Sequence, residues 1–371
     1  MVTDTVGLYV HIPFCKSKCR YCDFCSSVQS EEIHERYAEC LVQQIRSYKR
    51  DEPISVGTVF VGGGTPSVLS CDLMEKIFSA IGDTFLILPG SEITVEANPN
   101  TLTRELLECY KRLGVNRISI GIQSIHENEL KILGRTHNFA DAKNAADLIR
   151  EVGFVNFNVD LMYGIPEQTK ESFRETLAAV IDMKPTHISC YGLILEEGTP
   201  LYNERDKLVF PTEDAECEMY YLARDMLSAY GYEHYEISNY AKDGFYSFHN
   251  LRYWHDEEYI GVGLSAHSYF GGKRFYSPAS LSEYFEGCGV KYISEDDDPD
   301  RSFEYVMMRL RLREGFSLSE YEELFGESFT VGREAEIERF RSGGFLTVAG
   351  GRISLTDKGM YVSNYILSSL L

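Results

Sequence analysis

Between residues 6 and about 195, short apolar runs alternate with longer stretches in which apolar residues recur at helical spacing. Few folds accept that pattern. A strand followed by an amphipathic helix, repeated, buries both apolar faces as a parallel sheet flanked by helices. The spacing predicts strands over 7–11, 58–62, 92–97, 117–122, 156–161 and 187–193, with helices over 31–49, 71–81, 104–113, 139–152 and 170–183. These make six β/α units, the content of an α/β partial barrel. A chain of 371 residues with 44% apolar content has room for a second, smaller domain beside it.

In such sheets the working residues lie where strands give way to loops, at the carboxyl edge. Several expected strands end in glycine or polar residues: Gly62-Gly-Gly-Thr-Pro66, Glu96-Ala-Asn-Pro99, Gln123-Ser124 and Asp160. They read either as one shared site or as separate loop openings. From 197 to 290 the chain is aromatic and loop-rich, and it holds the only tryptophan, Trp254. Beyond that come expected helices over 303–312, 319–325 and 337–342, a hairpin of Leu346–Ala349 with Arg352–Leu355, and a terminal helix over 356–370. Together they read as a smaller α+β, winged-helix-like domain. The expected division is 1–235 for the barrel, 236–296 for the aromatic segment and 297–371 for the C-terminal domain.

The formal net charge of −21 disfavours phosphate-rich polymers and anionic membrane surfaces, so nucleic acid is not an expected partner and the C-terminal module is read as a packing or docking domain. No run of about 18 apolar residues signals an integral membrane segment, and the first ten residues lack the basic and apolar regions of a signal peptide. The expected location is the cytoplasm, where thiols stay reduced. Cys40, Cys71, Cys109, Cys190, Cys217 and Cys288 are therefore read as ordinary thiols. The acidic run Ser294–Asp300 reads as a solvated linker, since it lacks the spaced donors and central glycine of a calcium loop.

Cys15, Cys19 and Cys22 supply three thiolates within eight residues, close enough for one loop to hold three irons of a [4Fe–4S] cluster. Zinc fits poorly, because a closed zinc site wants four protein ligands and this spacing matches no common finger. A fourth iron without a protein ligand is open to the amino and carboxylate groups of S-adenosylmethionine (SAM). Cys25 is a candidate fourth thiolate; full ligation would leave an electron-transfer protein unable to bind that cofactor, and a surplus thiol is the other reading.

The segment Tyr9-Val-His-Ile-Pro-Phe-Cys-Lys-Ser-Lys-Cys-Arg-Tyr-Cys-Asp-Phe24 resembles the opening of the radical SAM proteins related to oxygen-independent coproporphyrinogen oxidase. The resemblance continues through Gly62–Ser67, Thr94–Pro99, Asn116–Ser124, Leu133–His137, Asn158–Gln168 and Tyr235–Asn239, nearly the whole chain. It implies a radical SAM partial (β/α)6 barrel. It also implies that Gly63, Gly64 and Thr65 receive the methionyl end of SAM, that Glu96, Gln123, Arg135 and Asp160 line the same pocket, and that Tyr9 and Tyr21 flank the cofactor. Arg135 suits a carboxylate and Asp160 suits ribose hydroxyls.

The segment His249-Asn-Leu-Arg-Tyr-Trp254 is followed by Tyr259–Tyr269. Histidine is a common haem ligand and aromatics stack on porphyrins, but on residues alone His249 reads first as a satisfied loop histidine, and Tyr253 with Trp254 read also as core. The His-Asn-x-x-Tyr-Trp pattern resembles that of the haem chaperones, the sister group of the oxidase, which implies haem at His249; His267 is a second candidate. The short segment before His11 and Phe24 in place of the oxidase's further cysteine point the same way. The implied function is a haem chaperone that passes haem to an acceptor protein, with an electron donor such as a flavodoxin or ferredoxin. A coproporphyrinogen III oxidase and a radical SAM methyltransferase are the alternatives, and catalytic residues are not assigned.

Overall fold

The computed structural model describes residues 5–296 and 298–371. Six parallel strands form its centre in sequence order: β1 (Val6–Ile12), β2 (Ser55–Gly63), β3 (Leu86–Ala97), β4 (Arg117–Gln123), β5 (Asn156–Tyr163) and β6 (His187–Gly192). Between them run α1 (Glu31–Ser47), α2 (Cys71–Thr84), α3 (Arg104–Arg112), α4 (Glu127–Leu133), α5 (Phe139–Glu151) and α6 (Lys170–Asp182). All seven residues of β4 are buried, as expected of a parallel strand covered on both faces. Helix starts are fixed locally: Asn138 with Asp141, and Thr169 with Ser172, form reciprocal caps that satisfy first-turn N–H groups.

The barrel is open. β1 and β6 pair with later strands instead of with each other: β1 with β9 and β6 with β8. After β6 the chain forms α7 (Pro200–Asn203), α8 (Glu213–Ala229), β7 (Glu233–His234), β8 (Asn239–Ala241), α9 (Phe248–Trp254), β9 (Tyr259–Val262), β10 (His267–Phe270), β11 (Lys273–Tyr276), α10 (Leu281–Gly287) and β12 (Ile293–Asp296). The resulting sheet has twelve strands, in the order β12-β11-β10-β9-β1-β2-β3-β4-β5-β6-β8-β7.

The segment expected to be loop-rich thus extends the sheet at both edges. Part of the expected acidic linker is strand β12, paired with β11; Asp297 lies outside the described residues.

The C-terminal part comprises α11 (Arg301–Arg309), β13 (Phe316–Ser317), α12 (Leu318–Phe325), α13 (Glu334–Ser342), β14 (Leu346–Ala349), β15 (Arg352–Leu355), α14 (Asp357–Tyr361) and α15 (Ser363–Leu370). Its three-stranded sheet includes the expected hairpin. The single terminal helix expected from the sequence is two helices broken at Val362. A second apolar core packs around Tyr305, Phe316, Tyr321 and Phe329, and Tyr220 of α8 belongs to it. Asp357 pairs with Arg224 of α8 at 3.1 Å and with Arg313 at 2.5 Å, which ties this part to the barrel.

Among the described residues no helix is long and apolar enough to cross a membrane. Cys71 and Cys109, expected as free thiols, form a disulfide between the start of α2 and α3. They are 38 residues apart in the chain, and only the packing of two neighbouring helices brings them within reach of each other.

Candidate functional site

The loop after β1 carries the three closely spaced cysteines, and its ends are zipped together. Cys15 N–H donates to the Ser27 carbonyl at 3.1 Å, and Ser27 N–H to the Pro13 carbonyl at 2.8 Å. Its far side is anchored at Arg20, whose N–H donates to the Leu133 carbonyl at the end of α4 and whose side chain pairs with Glu204 at 2.5 Å. Cys15, Cys19 and Cys22 line one cavity of about 590 Å3 at the carboxyl ends of the strands. Cys25 does not line it. Its Sγ donates to the Ala279 carbonyl at 3.4 Å and it lines an adjoining cavity of about 340 Å3.

The strand ends converge on the larger cavity. Gly63, Gly64 and Thr65 come from the end of β2, Glu96 from β3, Gln123 from β4 and Asp160 from β5, with Tyr21 and Arg135 from the flanking loops. Gly63 has a φ of 111°, and a Cβ there would lie 2.4 Å from His11 Cε1, so backbone conformation and packing both require glycine. Its N–H donates to Glu96 Oε2 at 3.0 Å.

Arg135 spans the site. It donates to Cys19 Sγ at 3.4 Å, to Asn98 Oδ1 at 2.6 Å and to the Gly121 carbonyl. Asn98 in turn donates to Thr65 Oγ1 at 2.8 Å, and Thr65 Oγ1 donates to Cys15 Sγ at 3.5 Å. A continuous polar path therefore runs from one cysteine to another.

Glu96 and Asp160 are carboxyls part-buried on the cavity wall, and neither forms an ion pair among the described residues. Burial first, and then the nearby Asp160, push Glu96 up to about 8, against the pull of the Gly63 N–H and Arg117. Burial also raises Asp160, although Ser189, Asn158 and Ser119 oppose the shift. A pocket holding two such carboxyls suits a ligand that brings hydrogen-bond donors and positive charge. SAM, with its ammonium, sulfonium and ribose hydroxyls, fits that donor set, and three thiols with no fourth in the same cavity fit a cluster with one open iron.

Behind Asp160 lies a buried chain that the sequence reading missed. Asn158 Nδ2 donates to Asp160 Oδ1 at 2.7 Å, and Asn158 Oδ1 lies 2.6 Å from His187 Nδ1. His187 Nε2 is 2.7 Å from the Tyr235 hydroxyl, which accepts the Ser247 N–H at 3.2 Å, at the start of α9. Burial holds the His187 imidazole well below its usual pKa, so the ring is neutral. The available signal was Asn158, a buried amide on the same strand two residues before Asp160.

Tyr9 and His249 are not part of the larger cavity. Tyr9 lines the adjoining one, where its hydroxyl meets His11 Nδ1 at 2.9 Å. In α9 the motif residues divide: Asn250 lines the larger cavity, Tyr253 lines the adjoining one, and His249 lines neither. The His249 ring is stacked on Phe60 with centroids 5.3 Å apart. Its Nδ1 is 2.9 Å from Thr58 Oγ1, and its Nε2 is 2.9 Å from the Tyr253 hydroxyl. Its backbone N–H donates to Glu92 at 3.0 Å. Burial, reinforced by Arg252 and Arg117, lowers its pKa to about 3. The neutral ring has the right charge state for a metal, but both nitrogens are already bonded and the residue is buried. His267, by contrast, lines the adjoining cavity with a half-exposed side chain.

The cysteine loop on a six-stranded parallel partial barrel defines the class. Residues 9–180 match the radical SAM superfamily, and residues 296–362 match the HemN C-terminal domain. Coproporphyrinogen III oxidase (HemN) from Escherichia coli, a radical SAM enzyme, superposes with a TM-score of 0.86 at 22% identity, covering 99% of this chain and 90% of that one, which establishes the fold.

Two curated relatives carry the assignment further. The heme chaperone HemW of Lactococcus lactis is 34% identical over 100% of this chain and 98% of its own. The heme chaperone HemW of Escherichia coli is 35% identical over 99% and 98%. The chain belongs to the HemW family of radical SAM proteins.

Proposed function

We propose that this protein is a cytoplasmic haem chaperone that binds haem beside a SAM-ligated [4Fe–4S] cluster and passes the haem to an acceptor protein. The observation that carries the reading is full-length likeness to proteins named heme chaperones, in a chain whose three cluster-type cysteines share a cavity with two carboxyls that have hydrogen-bond donors but no ion pair among the described residues. Cys15, Cys19 and Cys22 hold three irons of the cluster, and Cys25 remains a free thiol. Gly63, Gly64 and Thr65 offer backbone and hydroxyl groups to the methionyl end of SAM, Arg135 faces its carboxylate, and Glu96 accepts from its ammonium. Asp160 accepts from the ribose, with Gln123 and Tyr21 completing the walls.

When bound, a reduced cluster of this kind supplies the electron for reductive cleavage of the sulfonium. The chain's own residues orient the cofactor and keep water out, with Gly63 and Glu96 on the wall shared with the adjoining cavity. An electron donor such as a flavodoxin or ferredoxin is the expected source of the electron.

The test is anaerobic reconstitution with iron and sulfide, followed by haem titration and transfer of bound haem to an apo-haem protein, with coproporphyrinogen III assayed in parallel. Stoichiometric haem uptake and transfer without vinyl products supports the reading. Conversion of coproporphyrinogen III to a divinyl product, without haem uptake, overturns it in favour of an oxidase.

A further inference from the structure

Three histidines lie in or near the adjoining cavity and differ in what they leave available. His11 is buried with both ring nitrogens engaged, Nδ1 with the Tyr9 hydroxyl and Nε2 with the Cys25 carbonyl, each at 2.9 Å. For His249 to reach an iron, it must give up bonds to Thr58 and Tyr253 and bring a buried ring to the surface. Each polar group left unpaired inside loses its hydrogen bond without regaining water.

His267, at the start of β10, needs no such change. Its Nδ1 is 3.1 Å from Glu295 Oε2 of β12, and its ring stacks on Tyr276 of β11 with centroids 5.0 Å apart. Its Nε2 has no hydrogen-bond partner among the described residues. A carboxylate on one ring nitrogen fixes the tautomer, orients the ring and makes the other nitrogen a better ligand, the arrangement metal-binding histidines commonly have.

The cavity beside it suits a flat apolar ligand. Tyr9, Tyr253 and Tyr259 line it, and Phe24, which is 63% exposed, belongs to the linings of both cavities. Aromatic faces of this kind stack on an extended ring system. Gly63 and Glu96 also line both cavities, so a ligand here sits against the wall shared with the SAM cavity, next to the cluster loop.

We infer that the adjoining cavity is the haem seat, with His267 Nε2 as an axial ligand to the haem iron, Glu295 as the group that orients it and His249 as a positioning residue behind the Tyr253 wall. The inference rests on the chaperone reading and says where the cargo is held. It assigns iron ligation to the end of β9–β10 instead of to α9. The α9 motif then acts as a partition: Asn250 faces one ligand, Tyr253 the other, and His249 fixes the helix to β2 through Thr58.

The experiment is haem titration of the full, reconstituted chain, read by optical absorption, for the wild type, His267→Ala, Glu295→Gln and His249→Phe. Cluster absorption and SAM binding serve as folding controls. His267→Ala is expected to weaken haem binding by about tenfold or more and to shift the Soret band, with free imidazole restoring the wild-type band; Glu295→Gln is expected to change binding in the same direction by less. His249→Phe is expected to keep the wild-type band position. If the wild type binds haem and His267→Ala has the same band and affinity, this assignment is overturned while the chaperone reading stands. If His249→Phe loses the axial signature and His267→Ala keeps it, ligation returns to α9. If the wild type takes up no haem, the chaperone reading fails and the assignment fails with it.

Discussion

The two cavities share Phe24, Gly63 and Glu96 but are built differently. In the larger one, side chains brace one another: Arg135 to Cys19, Asn98 to Thr65, Thr65 to Cys15, Asn158 to Asp160. Such cross-tied polar groups are pre-organised, which suits a ligand whose charged ends must be held in fixed positions. The adjoining cavity is walled by tyrosines and contributes one half-exposed histidine on a short strand near the sheet edge. That suits a ligand that must be gripped and then released. On the proposed assignment the α9 motif is the wall between the two seats, with Asn250 on one side and Tyr253 on the other.

The largest effect that can break this comparison is at the cysteines. Cys19→Ala should abolish the reconstituted cluster, whereas Cys25→Ala should retain it, as read by iron content and visible absorption. Loss of the cluster in Cys25→Ala would mean that the thiol lining the adjoining cavity serves the larger one.

Next is Asp160→Asn, which removes a charged acceptor while keeping its size. It should weaken SAM binding by roughly tenfold, the scale of a hydrogen bond to a charged group, without altering haem uptake. A matching loss of haem binding would mean that the cavities do not act separately.

A smaller, stability-level effect sharpens the role of His249. His249→Phe leaves Thr58 and Tyr253 without their partner and should lower stability by about 1–3 kcal/mol in denaturant unfolding. The folded-state pKa of about 3 lies below the ordinary histidine value. Its contribution is therefore fully present above about pH 6.5 and is lost as the pH falls towards 3, because the unfolded chain binds the proton first. Between pH 7 and 5 the wild type should lose stability more steeply than His249→Phe. His137 and His234, both lowered to about 4 mainly by burial, should retain part of the slope in the variant. Equal slopes would contradict a sealed, neutral His249.

The smallest effect concerns the anchor of the cysteine loop. Glu204→Gln removes an exposed partner of Arg20 and should change stability by less than about 1 kcal/mol. A large loss of cluster occupancy in this variant would show that the ion pair, and not the Arg20 N–H to Leu133 bond, holds the loop.

The barrel strands were legible because each holds a short apolar stretch and ends near glycine or a polar residue, and the same pattern put Glu96, Gln123 and Asp160 at one edge. The extensions were not. β9 and β10 have four residues each and are separated by a turn with two positive-φ residues, Gly263 and Ser265, too short a pattern for alternation to register. The seven-residue α4 is too brief for helical periodicity. The Cys71–Cys109 pairing is a matter of helix packing, which spacing alone does not encode. Sequence placed His249 and Asn250 side by side, yet on a helix neighbouring residues point about 100° apart. Which of them meets a cavity is decided by how α9 sits on β2, and the motif could not convey that.

The decisive measurement is haem titration of the reconstituted protein with and without saturating SAM, with the reduced cluster followed by electron paramagnetic resonance. Two adjoining seats predict that SAM perturbs the cluster signal while one haem per chain still binds, and that the cluster remains perturbed after haem is added. Competition, with haem displacing SAM or SAM blocking haem, would contradict separate seats and put both ligands in a single cavity.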